Sequence, residues 1–242
     1  MEGSTYNIQK PILYTSTGKL YSGEKCVISM TSWIKRIHTV GKSIYALWKT
    51  CPGFHIVLNL TTVEFPNKEK DLPEDLRLML AKKMFEILWI KNDYKVLMKT
   101  LFAIDKYRNV PVVSADDDNY PKFNYPEELY QEWLKDKSYF ISYWGRPYNN
   151  TMHLGGNFTI TPPYAYGEYG VKCLCPEIVA TREDDPYYTV LRDRLKLNKC
   201  KVLNRKVSDV IAYHDSIEPL VKLYRSRPKD WAMHEIEKYI KL

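Results

Sequence analysis

The sequence predicts an α/β fold, a mixed and mostly parallel sheet flanked by helices, on three observations. Short apolar runs alternate with stretches of helical periodicity from residue 26 to residue 115, as successive βαβ units do when their strands are covered on both faces. No segment of the 242 residues repeats or thins into a low-complexity linker, so one domain spanning 1–242 is expected, a length that a single core can serve. The run 110–115 (VPVVSA) ends on three consecutive carboxylates, which puts charge at a strand's carboxyl end, where open parallel sheets bind ligands.

In chain order, 26–30 (CVISM) is a short apolar run that stops at Thr31-Ser32 and reads as a buried strand. Over 39–49, Val40, Ile44, Leu47 and Trp48 fall at helical spacing. The alternation continues with strands at 54–60 and 85–90, helices at 74–83 and 95–107, and the strand 110–115. Beyond Asp118 the pattern loosens: a helix at 127–135, strand-like segments at 139–144 and 157–161, then Pro162-Pro163. Residues 25–118 are therefore expected to bind one ligand, 119–205 to form the opposite wall of its crevice, and 206–242 to pack on the domain as a tail. In that tail Trp231, Ile236, Tyr239 and Ile240 share one approximate helix face; packing on the domain is the favoured role, docking to a membrane surface the minority one.

Composition excludes several classes. The 36 basic and 29 acidic residues give +7, a surface attractive to phosphates, anionic glycans or an anionic membrane face. The basic residues are dispersed, without zinc-finger spacing or a basic recognition helix, which argues against nucleic acid as a partner. Cys26, Cys51, Cys173, Cys175 and Cys200 form neither CxxC knuckles nor a dense disulfide framework and read as reduced thiols of a cytoplasmic protein. Residues 1–13 lack an apolar signal core, and no apolar run is long enough to span a bilayer.

Asp116, Asp117 and Asp118 are the most informative residues. Three adjacent carboxylates repel one another unless solvated or neutralised by a cation. A Mg²⁺ or Mn²⁺ ion typically takes one or two protein carboxylates and completes its shell with water and substrate phosphate. If the extended geometry continues, Asp116 and Asp118 point the same way, because strand side chains alternate. A solvated turn running into Asn119-Tyr120-Pro121 is the plainer alternative. Calcium fits poorly, since an EF-hand register from Asp116 puts Pro121 where glycine is required.

Four ordered blocks resemble bacterial and viral glycosyltransferases of the GT-A fold that carry a DDD motif. They are the run from Ser29 through Thr31, Ser32, Lys35 and Arg36 to Ile37, the segment 92–99, the segment 114–120, and Gly155-Gly156 with Thr161-Pro162-Pro163 followed by Glu183-Asp184-Asp185. The chain departs from the pattern at Ile34, where proline is expected. The resemblance implies that Thr31, Ser32 and Arg36 lie near the nucleotide, that the triplet holds ribose (Asp116, Asp117) and Mn²⁺ or Mg²⁺ (Asp116, Asp118), and that Lys95 or Lys99 approaches the donor. It further implies Asp185 or Asp184 as general base with inversion at the anomeric carbon, and His214 as a third metal ligand.

Each assignment has a plainer counterpart. Lys35, Arg36 and Lys99 can be solvated, Asp184 and Asp185 can serve a helix start through capping and its dipole, and His214 can be an ordinary histidine. On the acceptor side, Gly155-Gly156 can admit backbone close to a ligand or form a tight turn, and Trp144 and Tyr148 can stack on a sugar or fill the core. The resulting expectation is a nucleotide-sugar-dependent enzyme acting on a glycan or glycolipid in surface polysaccharide or lipopolysaccharide assembly, cytoplasmic or peripheral at the membrane's cytoplasmic face. Nucleotidyl transfer and a catalytically silent glycan- or nucleotide-binding module are the rivals.

Overall fold

The computed structural model describes residues 14–15, 25–155, 157–181, 183–213 and 231–240. The chain runs β1 (Tyr14–Thr15), β2 (Val27–Thr31), α1 (Ile37–Thr50), β3 (His55–Thr61), α2 (Glu74–Ala81), β4 (Glu86–Ile90), α3 (Met98–Lys106) and β5 (Val112–Ser114). It continues with β6 (Asn119–Pro121), α4 (Tyr125–Trp133), β7 (Phe140–Ser142), β8 (Gly145–Tyr148), β9 (Thr151–Leu154) and β10 (Thr159–Thr161). The last described elements are α5 (Tyr169–Lys172), α6 (Pro176–Thr181), α7 (Asp184–Arg194), β11 (Cys200–Val202), α8 (Val207–Val210), β12 (Ile211–Tyr213) and α9 (Trp231–Glu237).

The main sheet has the order β1-β4-β3-β2-β5-β10-β7-β11. β4, β3, β2 and β5 are mutually parallel, as are β7 and β11, whereas β1, and β10 against both its neighbours, pair antiparallel. The α/β class and the mostly parallel sheet expected from the sequence are therefore present. Strand side chains alternate between two cores, as the pleat requires. Ile28, Met30, Ile56, Leu58, Ile87 and Trp89 face one side with α1 and Leu76 of α2. Val27, Val57, Leu88 and Ile90 face the other with α3, α7 and α9. Each fully buried Leu, Ile or Val contributes about 1.5–3 kcal/mol by leaving water, and β3 is buried along its whole length.

Helices on both faces wind the sheet outward in two directions from β2. The chain goes from β2 over one face to β3, then from β4 over the other face to β5, which pairs with β2 through Ser29 and Ser114. The loops after β2 and β5 thus leave neighbouring strands in a crevice at the topological switch point.

Element boundaries moved where local chemistry overruled periodicity. Residues 95–107 are not one helix. Asp93 Oδ1 accepts the Lys95 backbone N–H at 2.9 Å, Lys95 takes φ 54°, and a short 3₁₀ turn over Lys95–Leu97 precedes α3. The helix expected at 127–135 begins at Tyr125, because Asn124 Oδ1 caps the Glu127 N–H at 3.2 Å and Pro126 suits the first turn. The β8–β9 hairpin, between the strand-like segments 139–144 and 157–161, had no clear alternation to announce it. Among the described residues no helix is long and apolar enough to cross a membrane.

Candidate functional site

The site is assembled where β2 and β5 end. Asp117, buried, is held on both oxygens: Arg36 Nη1 donates to Oδ1 at 2.7 Å and Ser32 Oγ to Oδ2 at 2.7 Å, while Ser43 Oγ of α1 donates to its backbone carbonyl at 3.0 Å. Arg36 extends its other arm to Asp118, with Nη2 3.2 Å from Oδ2. Asp118 and Arg36 are 8 % and 7 % exposed, so the alternative of a solvated turn with dangling carboxylates does not describe this segment. Thr31, by contrast, donates its hydroxyl to the Asn59 carbonyl at 2.9 Å and caps the strand pair.

Lys99 forms the second half of the site. Its ammonium has three protons and three oxygens within reach: Asp116 Oδ1 at 2.8 Å, Asp184 Oδ2 at 2.9 Å and Asn157 Oδ1 at 2.9 Å. Asn157 Nδ2 in turn donates to Asp116 Oδ2. The Lys99 carbonyl is anchored from below, where Ser29 Oγ of β2 donates to it at 2.5 Å and Asn59 Nδ2 of β3 donates to Ser29 Oγ at 2.8 Å. These polar residues in otherwise apolar strands fix where α3 begins, and hence where Lys99 points.

Asp184 and Asp185 occupy the first turn of α7, whose N-cap Glu183 makes no side-chain capping hydrogen bond. The helix dipole favours carboxylates there, but the ion pair from Asp184 to Lys99 on α3 shows a longer-range role. The segment 183–185 and the triplet, more than sixty positions apart in sequence, meet through one lysine.

Carboxylates outnumber cations in this cluster. Among the described residues, Asp116, Asp117, Asp118, Asp184 and Asp185 gather around Arg36 and Lys99. Burial, followed by the neighbouring charges of Asp118 and Asp184, lifts Asp116 above the usual carboxylate range although Lys99 opposes it. Burial likewise lifts Asp117 against Arg36 and Ser32. Burial and then Asp184 raise Asp185 well above its ordinary value. Lys99 is held firmly protonated, its own burial being outweighed by Asp116, Asp184 and Asp185.

A divalent cation fits this chemistry. The donors are hard oxygens, negative charge is in surplus among the described residues, and the charge of Asp118 acts to raise Asp116. Both residues already bond to protein groups, yet each carboxylate oxygen carries a second lone pair. Among the described residues no group of three or more His, Cys, Asp or Glu gathers to hold a metal, so an ion here would draw on one or two carboxylates plus water and ligand oxygens. His214 lies outside the described residues; the pairing of β12 with β6 sets Tyr213 opposite Asn119, next to the triplet.

Other expected positions sit further out. Lys95 is tied to Asp93 at the rim, where it also acts on Glu64, rather than to the triplet. Gly155 lies under Trp144: an added Cβ would come within 2.4 Å of the indole. Trp144 also meets the His153 ring edge-on at 5.8 Å and keeps 36 % of its surface exposed. Gly156 lies outside the described residues. Asn157, Asn59, Ser29 and Ser43 were missed by sequence reasoning; only Asn59, a lone amide within HIVLNLT, carried a visible signal. Compared with known proteins, the chain matches no family model and no curated protein sequence.

Proposed function

We propose that the protein is a glycosyltransferase that uses Mn²⁺ or Mg²⁺ and moves a sugar from a nucleotide-sugar to a hydroxyl of a glycan or glycolipid, with inversion, in surface polysaccharide or lipopolysaccharide assembly. The observation that carries this is the excess, among the described residues, of largely buried carboxylates at the sheet's switch point, joined through Lys99 to a second acidic pair on α7. A site for a nucleoside diphosphate and its cation needs that arrangement: oxygen ligands for the ion and fixed cations for the phosphates.

Asp116 and Asp118 would hold the ion, which when bound would offset the charge of the departing nucleoside diphosphate. Ser32 and Arg36 fix Asp117, leaving the Thr31–Ser32 strand end and Asp117 as the ribose-facing edge. Asp184, ion-paired to Lys99, orients the start of α7. Asp185 beside it takes the acceptor hydroxyl's proton, and its raised proton affinity brings it nearer the working pH of a general base. Trp144, braced by Gly155 and His153, offers a fixed aromatic face to the acceptor.

The product distinguishes this chemistry from its rivals. Incubation with nucleotide-sugars, Mn²⁺ and candidate glycan acceptors should release nucleoside diphosphate, and Asp185→Asn should reduce release by about 10²–10⁴-fold, the usual worth of a general base. Release of pyrophosphate would identify nucleotidyl transfer instead, and tight donor binding without turnover would identify a silent binding module.

A further inference from the structure

The outward face of α1 is basic and aromatic, and the catalytic assignment uses none of it. Tyr45 and Trp48 are 50 % and 49 % exposed and stack on each other, ring centroids 6.2 Å apart and 28° from coplanar. His38, Lys42 and Lys49 share the exposed side of the helix, and α1 contains no acidic residue at all. Next to it, α2 packs Leu76 and Met79 against Gly41 and exposes Leu78 at 55 %. Asp75 also reaches Gly41 from α2, and with Glu74 it forms the acidic margin of the patch. Arg77, Lys82 and Lys83 follow as exposed cations, so positive charge exceeds negative over the two helices.

A stacked Tyr–Trp pair left in water leaves unused the apolar burial that such rings ordinarily supply to a core. Aromatic rings with one polar end, flanked by lysines on flexible stems, suit the boundary between headgroups and acyl chains, where the rings enter and the ammonium groups reach anionic phosphates. The charge selects the partner: lysines draw an anionic lipid surface closer, whereas a second copy of this chain would set the same cations against each other.

We propose that the α1 face carrying Lys42, Tyr45, Trp48 and Lys49 docks the protein onto an anionic membrane surface. α1 starts beside Arg36, so the crevice mouth would lie at one end of the docked helix. Docking needs no catalysis and stands or falls separately from the transferase activity.

The test is cosedimentation with vesicles of phosphatidylcholine alone and with vesicles in which phosphatidylglycerol replaces about a quarter of it, at low and high salt. The full chain should bind the anionic vesicles at low salt and release them at high salt. Tyr45→Ser/Trp48→Ser should weaken binding by about tenfold or more, and Lys42→Glu/Lys49→Glu should remove the preference for phosphatidylglycerol. All four positions are exposed, so the variants should keep the wild-type melting temperature. Equal partition to both vesicle types, or undiminished binding by both variants, would overturn the proposal. So would sedimentation showing a dimer that the same substitutions dissolve, which would assign the face to self-association.

Discussion

The Lys99 ammonium donates to Asn157 in the loop before β10 and forms ion pairs with Asp116 in the loop after β5 and Asp184 at the start of α7. A buried charge so engaged is expensive to remove, because its partners stay behind uncompensated. Lys99→Met should cost about 3–5 kcal/mol of stability at neutral pH. The deficit has a predictable pH dependence. Asp116 and Asp185 already have raised proton affinities that Lys99 holds down, so removing it raises both further. Carboxylates whose folded-state affinity is raised stabilise the fold as pH falls, fully so below their unfolded value. The loss in Lys99→Met should therefore shrink as pH falls from neutral towards 4, measured by urea unfolding across that range; a deficit independent of pH would contradict the assignment of Lys99 as the counter-ion.

Two features act between elements. At the β8–β9 hairpin, Gly155 leaves room for the Trp144 indole, and Thr159 Oγ1 donates to the Gly155 carbonyl. Gly155→Ala should cost roughly 1–3 kcal/mol, since the new Cβ collides with a ring already braced by His153. Trp144→Ala should cancel most of that penalty in the double variant, and strictly additive unfolding energies would show that the two do not touch. At the opposite end of the sheet, the first residues of β3 and β4, His55 and Glu86, meet the end of α3. Glu86 Oε2 lies 3.0 Å from His55 Nε2 and accepts the Tyr107 hydroxyl at 2.7 Å, and Lys106 bonds to Oε1. Burial alone would raise the Glu86 carboxyl, but these three partners outweigh it and hold it at about 2 against an ordinary 4.5. A lowered carboxylate stabilises the fold above its unfolded value, and that contribution is lost as pH falls from 4.5 to about 2. Unfolding free energies measured through this window should fall less steeply for Glu86→Gln than for wild type; identical slopes would place the acid sensitivity elsewhere.

At the scale of the whole molecule, two polar networks lie at opposite ends of the sheet. The His55–Glu86–Tyr107 network closes the amino ends of the parallel strands, and the carboxylate cluster opens at the carboxyl ends. The second arrangement was readable in the sequence where apolar runs stopped at a distinctive residue: 26–30 at Thr31-Ser32, and VPVVSA at the triplet. The meeting of Asp116 with Asp184 was not, because it depends on strand order and on which face α3 crosses, and no local pattern records either. Asn157 stayed hidden for the same reason, as did the bond between Lys95 and Asp93. Of the four residues read at helical spacing in α1, Val40, Ile44 and Leu47 are buried, whereas Trp48 stays half in water beside Tyr45.

The proposed function requires the carboxylates to form a cation-dependent nucleotide-sugar site. Calorimetric titration of UDP-, GDP-, CMP- and dTDP-sugars, with and without Mn²⁺, into wild type and Asp118→Ala tests it directly. One donor class should bind in a Mn²⁺-dependent manner to the wild type, and the Mn²⁺-dependent part should disappear in Asp118→Ala. Absence of binding by every donor in both conditions, or Mn²⁺-dependent binding undiminished in Asp118→Ala, would contradict it.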